Sequence, residues 1–175
     1  YAYDLNNNSG KSDTELIEFA VNDISTVDKV IISDPFGGVF EIQKNGKTWT
    51  DKDGGCIVQE SAEFIIDAFK NIEFKGYIPD NSHKKFVSLM SGQHTKVEIF
   101  QNGEWAKTWY VGFSTQDHYG TYMLLETPDE KSDLPVIMKV KGLAGIIDPR
   151  FFADKRKWVC TNIFNLSLDL LKKID

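Results

Sequence analysis

Two stretches of this chain place Asn-Gly between runs that alternate apolar and polar residues, and nothing else in the sequence restricts the fold as much. In the first, Val39–Lys44 (VFEIQK) leads into Asn45-Gly46 and the chain resumes at Lys47–Thr50 (KTWT). In the second, Lys96–Gln101 (KVEIFQ) leads into Asn102-Gly103 and then Ala106–Phe113 (AKTWYVGF). Alternation puts one side of each run on a core and the other in water, which is the pattern of a half-buried strand. Asn and Gly both tolerate the positive φ that a type I′ turn demands, so each unit predicts an antiparallel hairpin. VFEIQKNGKTW and KVEIFQNGEWAKTW also echo one another, which suggests a pseudo-repeat of hairpin plus helix, although their spacing is not a short solenoid period.

Further strands are predicted at Glu15–Val21, at Val27–Ser33 before the Asp34-Pro35 and Gly37-Gly38 turn signals, and at Phe74–Ile78 before Pro79. Gly120–Glu126 and Leu134–Val140 complete the set, joined by the acidic turn Pro128–Asp133. One helix is expected from Ala62 to about Ile72, capped by Ser61. Ala62, Ile65, Ile66, Phe69 and Ile72 fall on one face of it. A shorter helix is expected over His83–Met90, with Ser82 as cap and Gly92 as stop. Residues 163–174 fit either a strand or a helix face and stay open. Strands joined by short turns outnumber helices, so the predicted class is α+β, a mainly antiparallel sheet with about two helices packed on one side. Residues 1–14, rich in Asn, Ser, Gly and Asp, read as a flexible leader or tether, and 15–175 as a single α+β domain.

Composition sharpens the exclusions. The chain has 175 residues, enough for one core without a metal or disulfide. Its net charge is −6, which argues against a nucleic-acid binder or an anionic-membrane binder. Eighteen Lys stand against two Arg, Arg150 and Arg156. Lysine is a strongly hydrated point charge, so the basic residues suit solubility more than bidentate anion binding. Cys56 and Cys160 are the only cysteines. Sparse use of this kind points to free thiols, since disulfide frameworks are usually cysteine-dense. No run reaches the ~18 apolar residues of a membrane span, so membrane association is expected only through an N-terminal anchor absent from this chain.

No phosphate-binding loop, dinucleotide fingerprint, nucleophile elbow or zinc-protease motif is present. His83, His94 and His118 have no ligand spacing, so neither metal nor cofactor is expected. The densest polar cluster is Ser114–Tyr122 (STQDHYGTY), whose Thr115, Gln116, Asp117, His118, Tyr119 and Tyr122 make it the candidate binding loop. Asp117 and His118 could orient a general base, yet adjacent residues on an extended chain point apart and no nucleophile is identifiable. Asp117 could equally satisfy its own turn amides. Arg150, beside Phe151 and Phe152, could hold an anionic ligand or pair internally with a carboxylate. Trp49, Trp105, Trp109 and Tyr110 could form an exposed row for a sugar or a protein partner, or pack in the core.

Tyr110–Met123 (YVGFSTQDHYGTYM) resembles the cell-envelope family known as domain of unknown function 4340, found mainly in Bacteroidetes, whose members carry YVGG-x-T-x-D-x-x-GTYM after a KVEIY-like strand. Lys96–Phe100 is similar to that strand. Phe19-Ala20-Val21 with Asp23, and Val27-Asp28-Lys29-Val30, resemble its opening elements. Gly142, Gly145 and Pro149-Arg150-Phe151 resemble its GF-x-GYL-x-PRF segment, and Trp158 with Ile163-Phe164 its WRDR-x-IF end. Phe113 departs from the second Gly, Lys141 from a Pro, and Val159-Cys160-Thr161 from Arg-Asp-Arg. The resemblance implies an extracytoplasmic domain tethered at its N-terminus and supplies no activity or catalytic residues. The resulting expectation is a non-catalytic envelope domain that contacts an unknown protein or cell-surface partner. The alternative is a hydrolase or glycan-processing enzyme using Asp117, His118 and Arg150.

Overall fold

In the computed structural model, which describes residues 17–142 and 147–161, the β-branched run Val27–Ser33 forms strand β1. The first alternating unit forms β2 (Val39–Asn45) and β3 (Thr48–Asp51). Helix α1 (Gln59–Asn71) leads into β4 (Ile72–Tyr77), and α2 (His83–Gly92) into β5 (Thr95–Gln101). Strands β6 (Glu104–Ser114), β7 (Thr121–Glu126) and β8 (Val136–Val140) follow. All pairings are antiparallel, in one eight-stranded sheet of order β3-β2-β1-β5-β6-β7-β8-β4. The α+β class read from the sequence therefore holds. The first Asn-Gly hairpin is followed by a helix and the second by β7.

The two turns differ in a way the shared Asn-Gly did not reveal. Gln101 pairs with Glu104, and the intervening Asn102 and Gly103 have φ of 53° and 82°, as a type I′ turn requires. In the first hairpin Asn45 itself pairs with Thr48, so the turn residues are Gly46-Lys47 and only Gly46 has positive φ, at 62°. That sign pattern belongs to a type II′ turn, in which glycine fills the first position.

β3 and β4 lie on opposite edges of the sheet, so the segment between them must cross it. Helix α1 makes the crossing with Ala62, Ile65, Ile66, Ala68 and Phe69 buried beneath it. These meet the inward side chains of the strands, among them Ile32, Ile42, Ile99, Met123, Leu125 and Met138. At the centre lies Trp109 of β6, fully buried, with ring centroids 5.0 Å from Phe69, 5.9 Å from Phe19 and 6.1 Å from Phe151. The helix starts two residues before the Ala62-led run's expected cap, and Ser61 lies within its first turn. Val58 occupies the cap position without a side-chain bond. Gln59 fixes this end of the helix by taking the role of a strand. Its Nε2 donates to the Trp49 carbonyl at 2.8 Å, and its Oε1 accepts from the Trp49 amide at 2.7 Å. One side chain thus satisfies a donor and an acceptor on the β3 edge.

Three further expectations change. Of the run Glu15–Val21, the described residues 17–21 form no strand. Phe19 and Val21 are nevertheless buried, and the Val21 amide donates to the Phe69 carbonyl at 2.9 Å. Cys56 and Cys160, expected as free thiols, form a disulfide with Cα atoms 5.6 Å apart. It ties the entry to α1 to the segment after Trp158, where Val58 N–H donates to the Trp158 carbonyl at 2.8 Å. Nothing in the count of two cysteines could reveal this neighbourhood, which only the folded backbone creates. Third, α2 lies on the face opposite α1 instead of sharing one side with it. Trp109 and Met123 point toward α1, so their neighbours Tyr110 and Tyr122 point the other way, and these are the residues that His94 and Phe86 contact. The leader at 1–14, Gly145 and the tail at 163–174 lie outside the described residues.

Replacing both cysteines by serine is expected to cost about 2–5 kcal/mol, since the bridge closes a loop of 104 residues. Chemical denaturation with and without a dithiol reductant measures this, and coincident curves would remove the bridge from the stability account. Trp109→Ala is expected to cost about 3–5 kcal/mol by opening a cavity at the centre of the core. The same denaturation series reads it.

Candidate functional site

β6 and β7 extend past the end of β5, and their connecting turn carries most of the polar cluster singled out in the sequence. Thr115 closes this turn by donating its amide to the Gly120 carbonyl at 2.8 Å, and His118 donates its amide to the Thr115 carbonyl at 2.9 Å. A register shift between Val111 and Ser114 bends β6 here. Gly112 sits in the bend, where a Cβ would come within 2.8 Å of the Tyr122 carbonyl oxygen and 3.1 Å of Met90. Its lack of a side chain lets α2 approach the sheet.

Asp117 is fully committed. Its Oδ1 accepts from the Tyr119 amide at 3.1 Å and from the Thr115 hydroxyl, while Oδ2 pairs with Lys75 Nζ at 2.7 Å. The Lys75 contact, then the Thr115 hydroxyl and the Tyr119 amide, hold its carboxyl well below the usual carboxylate range. His118 has a left-handed φ of 57° and is exposed, and no hydrogen bond links its ring to Asp117. Of the two sequence alternatives for Asp117, closure of its own turn is therefore what the structure contains.

Beside the turn, α2 and the sheet enclose a groove of about 750 Å³. Its aromatic wall is Phe86, Phe113 and Tyr122, with Phe86 and Tyr122 centroids 4.3 Å apart and Phe113 5.1 Å from Tyr122. Leu89 and Ile137 extend the apolar surface, and Lys75, Lys85 and Gln116 stand at its polar margin. Burial, then the charge of Asp117, raises the pKa of the Tyr122 phenol. Phenol, hydroxyl and amide groups here can orient a ligand by hydrogen bonds, and the rings can bury apolar surface.

The structure thus brings Thr115, Gln116, Asp117 and Tyr122 to one groove, with His118 and Tyr119 exposed on the turn outside its lining. Arg150 is not brought to it. It is buried on the α1 face, its Nη1 donating to the Phe64 carbonyl at 3.2 Å and its guanidinium 3.7 Å from the Phe64 ring centre. Burial lowers its pKa, with the charge of Asp67 opposing. The tryptophans do not form an exposed row. Trp49 and Trp109 are buried, and Trp105 donates its indole N–H to Thr108 at 2.9 Å. Tyr110 donates to Glu126 and accepts from Lys131 at 2.9 Å. His83 and His94 are each bonded to a backbone carbonyl, and no metal-holding group of three or more His, Cys, Asp or Glu gathers among the described residues.

Sequence reasoning missed Lys75, Phe86 and Phe113. Phe86, Leu89 and Met90 fall at helical spacing, a signal that α2 has an apolar face. Nothing local marks Lys75, which reaches Asp117 across 42 positions.

Because its pKa is depressed on folding, Asp117 contributes stability that is fully present above its ordinary value of 3.8 and is lost as pH falls through the lower, folded value. Carbon-detected NMR is expected to show the Asp117 carboxyl still ionised at about pH 3, and its midpoint moving toward the ordinary value in Lys75→Met. An unchanged midpoint in that variant would show that Lys75 is not the main cause.

No family model, curated protein or solved structure matches this chain, so the likeness to the envelope family rests on the motif residues quoted above.

Proposed function

We propose that this chain is a non-catalytic domain of the cell envelope, outside the cytoplasm, that holds a protein or cell-surface partner in the groove between α2 and the β6–β7 turn. The observation that carries the reading is the state of Asp117. A hydrolase or glycan-processing enzyme built on this loop would need a carboxylate free to orient or accept a proton, whereas both oxygens of Asp117 are spent on Lys75, Thr115 and the Tyr119 amide. A turn fixed in this way is a rigid margin for a binding surface, and preorganisation of that kind favours association by lowering its ordering cost. The aromatic wall provides the apolar contact. The Cys56–Cys160 disulfide fits an oxidising compartment, where such bonds persist. Anchoring through a segment N-terminal to this domain belongs to the same proposal.

Photo-crosslinking in intact envelopes tests it. A benzophenone side chain at Leu89 or Gln116 is expected to give the same discrete adduct, while one at Lys47, in the turn at the opposite edge of the sheet, gives none. Absence of an adduct from both groove positions, or equal labelling from all three, would overturn the reading.

A further inference from the structure

A second cavity, of about 340 Å³, opens where β4 ends and α2 begins. Its walls come from Tyr77, Asp80, His83, Ser132, Leu134 and Pro135. The polar groups on this wall have one property in common, which is that they are left with lone pairs to offer. His83 holds its Nε2 2.7 Å from the Ile78 carbonyl, so that nitrogen donates, which leaves Nδ1 as the acceptor of this tautomer. Ser132, 3% exposed, donates its hydroxyl to the Leu134 carbonyl at 2.7 Å and keeps its oxygen lone pairs. The Asp80 carboxylate has no partner among the described residues. No lysine or arginine lines the cavity. Tyr77 keeps 57% of its surface exposed, with its ring braced at 4.7 Å from Phe74, and Leu134 keeps 44%.

From these observations we infer that the cavity binds a primary ammonium group carried on a short apolar stem. An ammonium has three N–H donors and no acceptor, the complement of Asp80, His83 Nδ1 and Ser132 Oγ. Its charge is attracted by the Asp80 carboxylate and by the face of an aromatic ring such as Tyr77. The stem lies on Leu134 and Pro135. An anionic ligand fits poorly, because Asp80 already supplies the negative charge ahead of the α2 N-terminus. This site is separate from the groove and does not depend on the reading given for it. A free alkylamine and a lysine side chain on a peptide share this chemistry.

Titrations followed by amide NMR decide the matter and distinguish the two sources. n-Butylammonium chloride is expected to move the amides of Tyr77, Asp80, His83 and Ser132 saturably, with a roughly millimolar dissociation constant, and sodium butyrate is expected to leave them unmoved. Asp80→Asn should weaken binding at least about fivefold without altering the rest of the spectrum. Tyr77→Leu should weaken it as well and serves if Asp80→Asn perturbs the fold. Acetyl-Gly-Lys-Gly-amide, compared with its norleucine analogue, forms the second arm. Tighter binding of the lysine peptide than of butylammonium assigns the site to a basic side chain, and tighter binding of butylammonium assigns it to free amines. Lack of saturable shifts with either amine, equal binding of butyrate, or undiminished binding in both variants would overturn the proposal.

Discussion

The pairing of β1 with β5 is the contact on which the rest of the structure depends. Without it the chain would hold two separate meanders, β1-β2-β3 and β5-β6-β7-β8, each with an unprotected edge. The register Val30↔Ile99 and Ile32↔Val97 aligns fully buried side chains from both meanders beneath α1. A slip of one residue would turn the inward set of the slipped strand to the opposite face. The register is fixed locally as well. A shift between Val27 and Lys29 leaves Asp28 out of step with the ladder, and its carboxylate accepts the Gly103 amide of the β5–β6 turn. Gln101 reaches back to Thr26 at 2.6 Å. Lys107 of β6 donates to the carbonyls of Glu18 and Ala20, and burial lowers its pKa. The first strand of one meander is thus secured to the second at both backbone and side-chain level.

Elements whose information is local were legible in the sequence. Alternation and turn chemistry located β1, β2, β5 and β6, and the spacing of Ala62, Ile65, Ile66 and Phe69 gave α1 its buried face. What could not be read depended on neighbours distant in sequence. Glu15–Val21 carries the composition of a strand, yet its described residues 17–21 join no strand, and Phe19 packs against Trp109 instead. Gln59 displaced Ser61 as the residue fixing the start of α1 because β3 lay within reach of its amide. The side of the sheet that a helix occupies is a tertiary choice, and here the need for α1 to cross from edge to edge leaves the opposite face to α2.

The candidate site followed the same division. The Ser114–Tyr122 cluster was recognisable as a polar turn between two strands, and the self-closing role of Asp117 was one of the two roles its residue type allows. Its third partner, Lys75, arrives from another strand, and Phe86 from a helix. Two positions at which the chain departs from the envelope-family pattern carry structural features of their own. Phe113, in place of a glycine, supplies part of the aromatic wall, and Cys160, within the altered segment after Trp158, supplies half of the disulfide.

That disulfide also divides the molecule mechanically. The covalent ring it closes contains α1, α2 and strands β4 through β8, and it leaves β1, β2 and β3 outside. A load applied along the chain from the N-terminal side would peel away these three strands and then meet a closed loop. Beyond that point the bridge withholds roughly 350 Å of contour length from extension, at about 3.4 Å per residue. Under such a load the aromatic groove stays inside the segment that cannot be drawn out.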